Sequence, residues 1–441
     1  MLLMEKDRDV RAFDFDRCGH FMHRLMTELF PICRSITGDG VRETLRIIQD
    51  HIPLNIFEVP SGTKAFDWTV PKEWNIRDAF VLDPEGRKII DFNESNLHVL
   101  GYSAPVAKSV TLTELQKHLH SLEEQPDAIP WVTSVYEERW GFCLAHNKRV
   151  QLKEGVYQVY IDSELKEGSL TYGEVIIPGR SNKEIFISTY VCHPSMANNE
   201  LSGPVVATML AKWLASEPRR FTYRIIFIPE TIGSIVYLSR NLQSLKRNTI
   251  AGFNLTCVGD ERAYSYLPSR NGSTLADRVA LNVLKNKHPD FRQFSFLERG
   301  SDERQYCSPG VDLPVVSLMR TKYREFPEYH TSLDNLDFVT PAGLQGSFAL
   351  HKDCIELLER NRVYKTHCLG EPQLGKRGLY PTISTKESHR RVVDMLNFIA
   401  YADGTNDLID ISNTIRIPAS QLYPIVDKLL AADLLQEHFV E

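Results

Sequence analysis

Four short polar clusters interrupt an apolar stretch of the chain: "CHPS" at 192–195, "PET" at 229–231, "VGDE" at 258–261 and "EYHTSLDN" at 328–335. With the neighbouring "NNE" they supply His193, Asn199, Glu200, Glu230, Asp260, Glu261 and His330. Two histidines among several carboxylates form a hard-to-borderline ligand set suited to zinc. An ion held there with an open position would bring a water's pKa towards neutrality. A carboxylate that is not a ligand could then take the proton. Taken singly, each residue has a plainer explanation. Glu230 could cap the helix that starts at Thr231, Asp260 could be a turn residue, and His330 could be a surface histidine.

Their shared position is what joins them. From about residue 170, apolar strands alternate with amphipathic helices: "EIFISTYV", helix 203–216, "TYRIIFIP", helix 232–246, "IAGFNLTCV", helix 274–287, "FRQFSFL", "PVVSLMR" and helix 341–362. That alternation predicts an α/β sheet covered on both faces. Such sheets bind ligands beyond the carboxyl ends of their strands, which is where these clusters fall. Upstream, 17–52 reads as two helices joined by "RSITGDG". Residues 60–165 have the texture of short strands cut by Pro, Gly and Asp, an inserted small β-rich domain. The expected division is 17–59 with 166–365 for the α/β domain, 60–165 for the insert and 375–441 for a separate unit.

That last part reads as three helices and a short strand, "LQEHFV", the order of a winged helix. Its third helix offers only Lys428, against Asp427 and Asp433, where a DNA-reading helix carries several cations. No nucleic-acid partner is therefore expected, and the winged helix is read as a protein-contact or simple packing module. With 441 residues, the chain is long enough for two or three cores. Its 42% hydrophobic and 24% charged content describes a globular protein, and its net charge of -6 gives no electrostatic case for nucleic acid. No run of eighteen apolar residues predicts a membrane span. The opening "MLLMEKDRDVRAFDFD" is charged too early for a secretory signal. Eight scattered cysteines without a CxxC pair predict reduced thiols and a cytoplasmic protein.

Residues 170–362 resemble the zinc-dependent aminopeptidases of the co-catalytic two-metal type. "EYHTSLDNLDFV" matches their "YHTxxDxxD" motif and places its zinc-binding His at His330. "SDERQYCSPGVDLPVVSL" resembles their "SDxxxF" stretch, and His193 matches their first ligand His. "NNELSG" stands where they have "DDxxSG", and "PETIGS" where they have paired glutamates, the first a general base. Over nearly its full length the chain resembles a bacterial group of aminopeptidase-like proteins with an inserted β domain and a C-terminal winged helix. "FPICRSITGDGVRETL" and "VPSGTKAFDWTVPKEWNIRDA" carry that resemblance. The group often accompanies polysaccharide or secondary-metabolite biosynthesis.

Three departures shape what the resemblance implies. His193-Pro194-Ser195 replaces His-x-Asp, so the orienting role of that Asp is lost or passes to Ser195. Asn199 replaces the bridging Asp, and Thr231 the second Glu. A metal pair needs a bridging anion, so one zinc is expected rather than two. Its ligands would be His193, His330 and one carboxylate, Glu200 first and Asp260 second, with Glu230 as the base. Asp302 or Glu303 could hold a substrate amine. Arg304, Arg320 and Arg324 could hold an anionic group, or be solvated loop charges. The expected activity is hydrolysis of an amide or peptide bond in a small substrate. The alternative is an assembly or binding protein that keeps the fold without turnover.

Overall fold

The computed structural model describes residues 17–135, 137–380 and 386–438 and divides the chain into two compact units. The first, residues 1–272 with 292–348, is built on one eight-stranded mixed sheet. In chain order its strands are β1 (Asn55–Pro60), β2 (Ser169–Ile177), β3 (Ser181–Tyr190), β4 (Phe221–Ile228), β5 (Thr249–Leu255), β6 (Ser265–Leu267), β7 (Arg292–Gln293) and β8 (Val315–Met319). They lie in the order β1-β2-β4-β3-β5-β8-β6-β7. The four central strands β4, β3, β5 and β8 are parallel, while β1 and β2 pair antiparallel at one edge. The chain leaves β3 for β4 on one side and then crosses to β5 on the other. The order thus reverses at β3, and the end of β3 is a topological switch point.

The central strands are buried on both faces, which is why "EIFIST" reads as a continuous apolar run. Helices α1 (Cys18–Leu29), α2 (Asp39–Gln49), α3 (Ser202–Leu214) and α4 (Ile232–Asn248) follow the predicted spans closely. Phe186, Ile226 and Ile228 share a core cluster with Ile235, Val236 and Leu238 of α4. Twelve of the thirteen residues of α3 are buried, because α3 lies between the sheet and α1. "FRQFSFL" was expected as a strand, but only Arg292–Gln293 pairs. Ser295 and Glu298 then form a reciprocal capping box that starts a 3₁₀ turn.

Between β1 and β2 the chain builds a four-stranded antiparallel sheet, ordered 88–91, 73–82, 156–166 and 106–111. It has its own core around Val81, Leu115, Phe142, Tyr157 and Ile161.

The second unit comprises 273–291 and 349–441. Here the structure draws the boundary elsewhere than at 375. Strand 363–366 is the centre of a three-stranded sheet, flanked by 403–407 and 435–438. Helix α5 (Leu275–Lys287) joins this unit through Arg278, which pairs with Asp407 and Asp410, and through Asn282, bonded to Ser412. These partners stand about 130 residues apart in sequence, beyond the reach of periodicity. No helix among the described residues is long and apolar enough to cross a membrane.

Candidate active site

The ends of β3 and β4 bring His193 and Glu230 together, with His193 Nε2 3.8 Å from a Glu230 oxygen. The His330 ring lies 5.5 Å from that of His193, centre to centre. Trp131 of the insert packs 4.6 Å from each imidazole.

Glu200 lies behind His193 rather than before it. Its Oε2 accepts from His193 Nδ1 at 2.8 Å, and its Oε1 accepts from the Cys192 amide at 2.6 Å. A π-helical turn, Ala197–Leu201, precedes α3 and carries Glu200 to this place. Asp334, from the "YHTSLDN" loop, anchors that turn by accepting from the Asn198 and Asn199 amides. The expected first-choice metal carboxylate is thus committed to orienting the histidine. Ser195 does not take that part: its hydroxyl donates to the Phe30 carbonyl and it binds Asn96.

Asp260 is also committed elsewhere. Its oxygens accept from Thr321 N and Oγ1, Arg262 N and Asn198 Nδ2, four donors that exhaust an ionised carboxylate. Asn199 Oδ1 accepts from the Tyr190 hydroxyl. Asp302 and Arg304, expected to hold substrate, sit behind the Glu230–Thr231 turn and do not line the cavity. Asp302 Oδ1 accepts from Thr231 N at 2.8 Å and Ser234 Oγ at 2.9 Å, and Arg304 reaches the Thr231 hydroxyl. Glu303 is occupied by the Gly300 and Ser301 amides and the Tyr323 hydroxyl.

The turn itself is strained. Thr231 has φ 65 and ψ -77, and Ile232 N bonds Glu230 O at 2.8 Å, a γ-turn of the rare positive-φ kind on a β-branched residue. His330 too has positive φ, 58. Its backbone is held by the insert. Trp131 N donates to His330 O at 2.8 Å, Ser332 N to Ile129 O at 2.9 Å and Ile129 N to Ser332 Oγ at 3.0 Å, with Pro130 bridged to Thr331.

Burial raises the Glu230 carboxyl above its usual range, although His193 and Arg304 oppose the shift. Burial pushes Asp302 up to about 7, with Glu230 adding to it. Burial, then the neighbouring His193, holds His330 well below the usual histidine range, so its imidazole is neutral and has a lone pair to offer. Cys192, His193 and Glu200 present ligand atoms within 4.8 Å of one another. Burial keeps the Cys192 thiol protonated, and His193 Nδ1 is spent on Glu200. The imidazole nitrogen left to bind a ligand is therefore Nε2, beside Glu230.

A cavity of about 140 Å³ opens here. His193, Glu230 and Ile232 line it from the sheet domain, and Trp74, Val99 and Trp131 from the insert. A space of that size holds a benzene-sized group.

Residues 23–361 match the family described as "Domain of unknown function (DUF4910)", and residues 362–437 match a winged helix-turn-helix family. The chain belongs to the DUF4910 family. A Clostridium acetobutylicum protein, provisionally named for polysaccharide biosynthesis and an aminopeptidase-like domain, is 46% identical over 95% of this chain and 96% of its own. A crystal structure from the same organism, provisionally named a peptidase, superposes with a TM-score of 0.90 at 45% identity, covering 96% of this chain and 98% of that one. A zinc aminopeptidase from Bacillus subtilis superposes with a TM-score of 0.58 at 12% identity, covering 80% and 96%. The first unit therefore has an aminopeptidase-like fold, and a winged-helix domain follows it.

Proposed function

We propose that this protein is a single-zinc hydrolase of an amide or peptide bond in a small substrate. The observation that carries this reading is His193 Nε2 facing the Glu230 carboxylate at 3.8 Å, with a second imidazole, His330, alongside. Two imidazoles beside a carboxylate are ligand types that zinc takes. A second ion is not supported: Asn199 is a neutral amide whose oxygen is bonded to Tyr190, and Asp260 has no lone pair to spare. His193 and His330 would hold the ion. Bound there, zinc would supply Lewis acidity towards a carbonyl and a water. Glu230, its basicity raised by burial, takes the proton of the attacking water and returns it to the leaving amine. Trp131 and the insert exclude bulk water and limit the substrate to a small group. The relative's provisional name supports an amide borne on a sugar or small amino acid from polysaccharide assembly.

Metal analysis of the purified protein should find one zinc per chain. Glu230→Gln should keep that zinc and lose turnover of small aminoacyl amides. No stoichiometric zinc in the wild type would favour a binding protein without turnover. Retained activity in the variant would remove Glu230 as the base.

A further inference from the structure

The "FPICRSITGDG" segment belongs to the N-terminal helical pair, far in sequence from the strand ends, yet Arg34 reaches the site. Its side chain is fully buried. Nε donates to the His193 carbonyl at 2.9 Å and lies 3.6 Å from Glu200 Oε1. Nη1 donates to the Leu29 carbonyl at 2.7 Å and contacts Thr44 Oγ1 at 3.3 Å. The guanidinium is thus tied to the end of α1 and to α2 on one side. On the other it touches both the backbone of His193 and the carboxylate that holds the His193 ring. The rest of the segment serves the same placement. Gly38, at φ 100, lies so close to the Trp74 carbonyl that a Cβ would come within 2.2 Å of it, and the Thr37 hydroxyl accepts from the Trp74 amide.

We propose that Arg34 is a positioning residue for His193. It holds Glu200 against Nδ1 and clamps the His193 carbonyl. The imidazole is thereby held with Nδ1 on Glu200 and Nε2 turned towards Glu230 before any ligand arrives. A buried carboxylate without a cation beside it would be uncompensated; Arg34 supplies that cation within ion-pair range while its Nε–H is given to the His193 carbonyl. This assignment rests on the single-zinc reading only for its effect on metal affinity, not for the tautomer.

The test is nitrogen NMR of histidine-labelled, chelator-treated protein at neutral pH, followed by zinc titration. Wherever its imidazole is neutral, at neutral pH or after raising the pH, wild type should show His193 as the Nδ1–H tautomer alone. Arg34→Gln should mix the tautomers and weaken zinc binding about 10- to 100-fold, the usual effect of losing a group that orients a ligand. Arg34→Lys keeps a buried cation and serves if the glutamine variant does not fold; it should move both readouts in the same direction. Glu200→Gln should mimic Arg34→Gln, and the double variant should be no worse than either single one. A folded Arg34 variant that melts earlier but keeps the wild-type tautomer would overturn the proposal, as would additive losses in the double variant. If wild type binds no zinc, the metal reading fails and the tautomer measurement still decides the role of Arg34.

Discussion

Arg42 of α2 grips Glu73, at the start of the insert's first long strand, in two parallel contacts: Nη1 to Oε1 at 2.9 Å and Nη2 to Oε2 at 2.5 Å. Arg42 also reaches Glu58 of β1, and Glu73 accepts from the Ser169 amide of β2. One fork therefore joins the helical pair, the main sheet and the insert. The hydrogen bond from Arg42 holds Glu73 at about 2, below its ordinary 4.5. A carboxyl with a depressed folded pKa stabilises the fold above its unfolded pKa and loses that stabilisation as pH falls towards the folded value. Glu73→Gln should cost about 2 kcal/mol at pH 7. In urea titrations the deficit should shrink between about pH 4.5 and pH 2. A deficit that stays constant over that range would contradict an ionised pair.

Asp260→Asn should leave zinc content unchanged and lower stability by about 1–3 kcal/mol, because an amide nitrogen would then face a backbone donor of Thr321. Metal lost without a change in melting would return Asp260 to the ligand set.

Trp131→Ala removes the ring that covers both imidazoles. Chelator should then strip zinc about tenfold faster, through a mouth no longer dry. An unchanged stripping rate, with the fold intact by circular dichroism, would mean that Trp131 does not guard the site.

Gly203→Ala should destabilise by about 2–4 kcal/mol, since a Cβ there would stand 2.2 Å from Thr189 Oγ1 and 2.5 Å from the Leu255 carbonyl. The glycine lets α3 lie directly on β3 and β5. A melting temperature within about 1 °C of wild type would show that the helix can shift aside.

Period and spacing made the frame legible. Buried strands β3, β4, β5 and β8 announce themselves as apolar runs, and the polar clusters that follow them mark the site. What stayed hidden was direction. Glu200 follows His193 by seven residues, and only the π-helical turn between them sends its carboxylate back to Nδ1. Asp260 reads as an available ligand until Thr321, 61 residues on, occupies both of its oxygens. Arg34 was visible as part of a motif. A lone cation between "FPIC" and "SI" was the available signal, but nothing local tells which acceptors it will find 159 residues away.

The short ladder between 129–131 and 330–332 makes the insert inseparable from the His330 loop. Trimming the insert to admit longer substrates would release the His330 carbonyl from Trp131 and the Ser332 amide from Ile129. A histidine held at positive φ would then lose its support. An insert exchanged for another therefore has to carry the histidine loop with it, so the two are inherited here as one cassette.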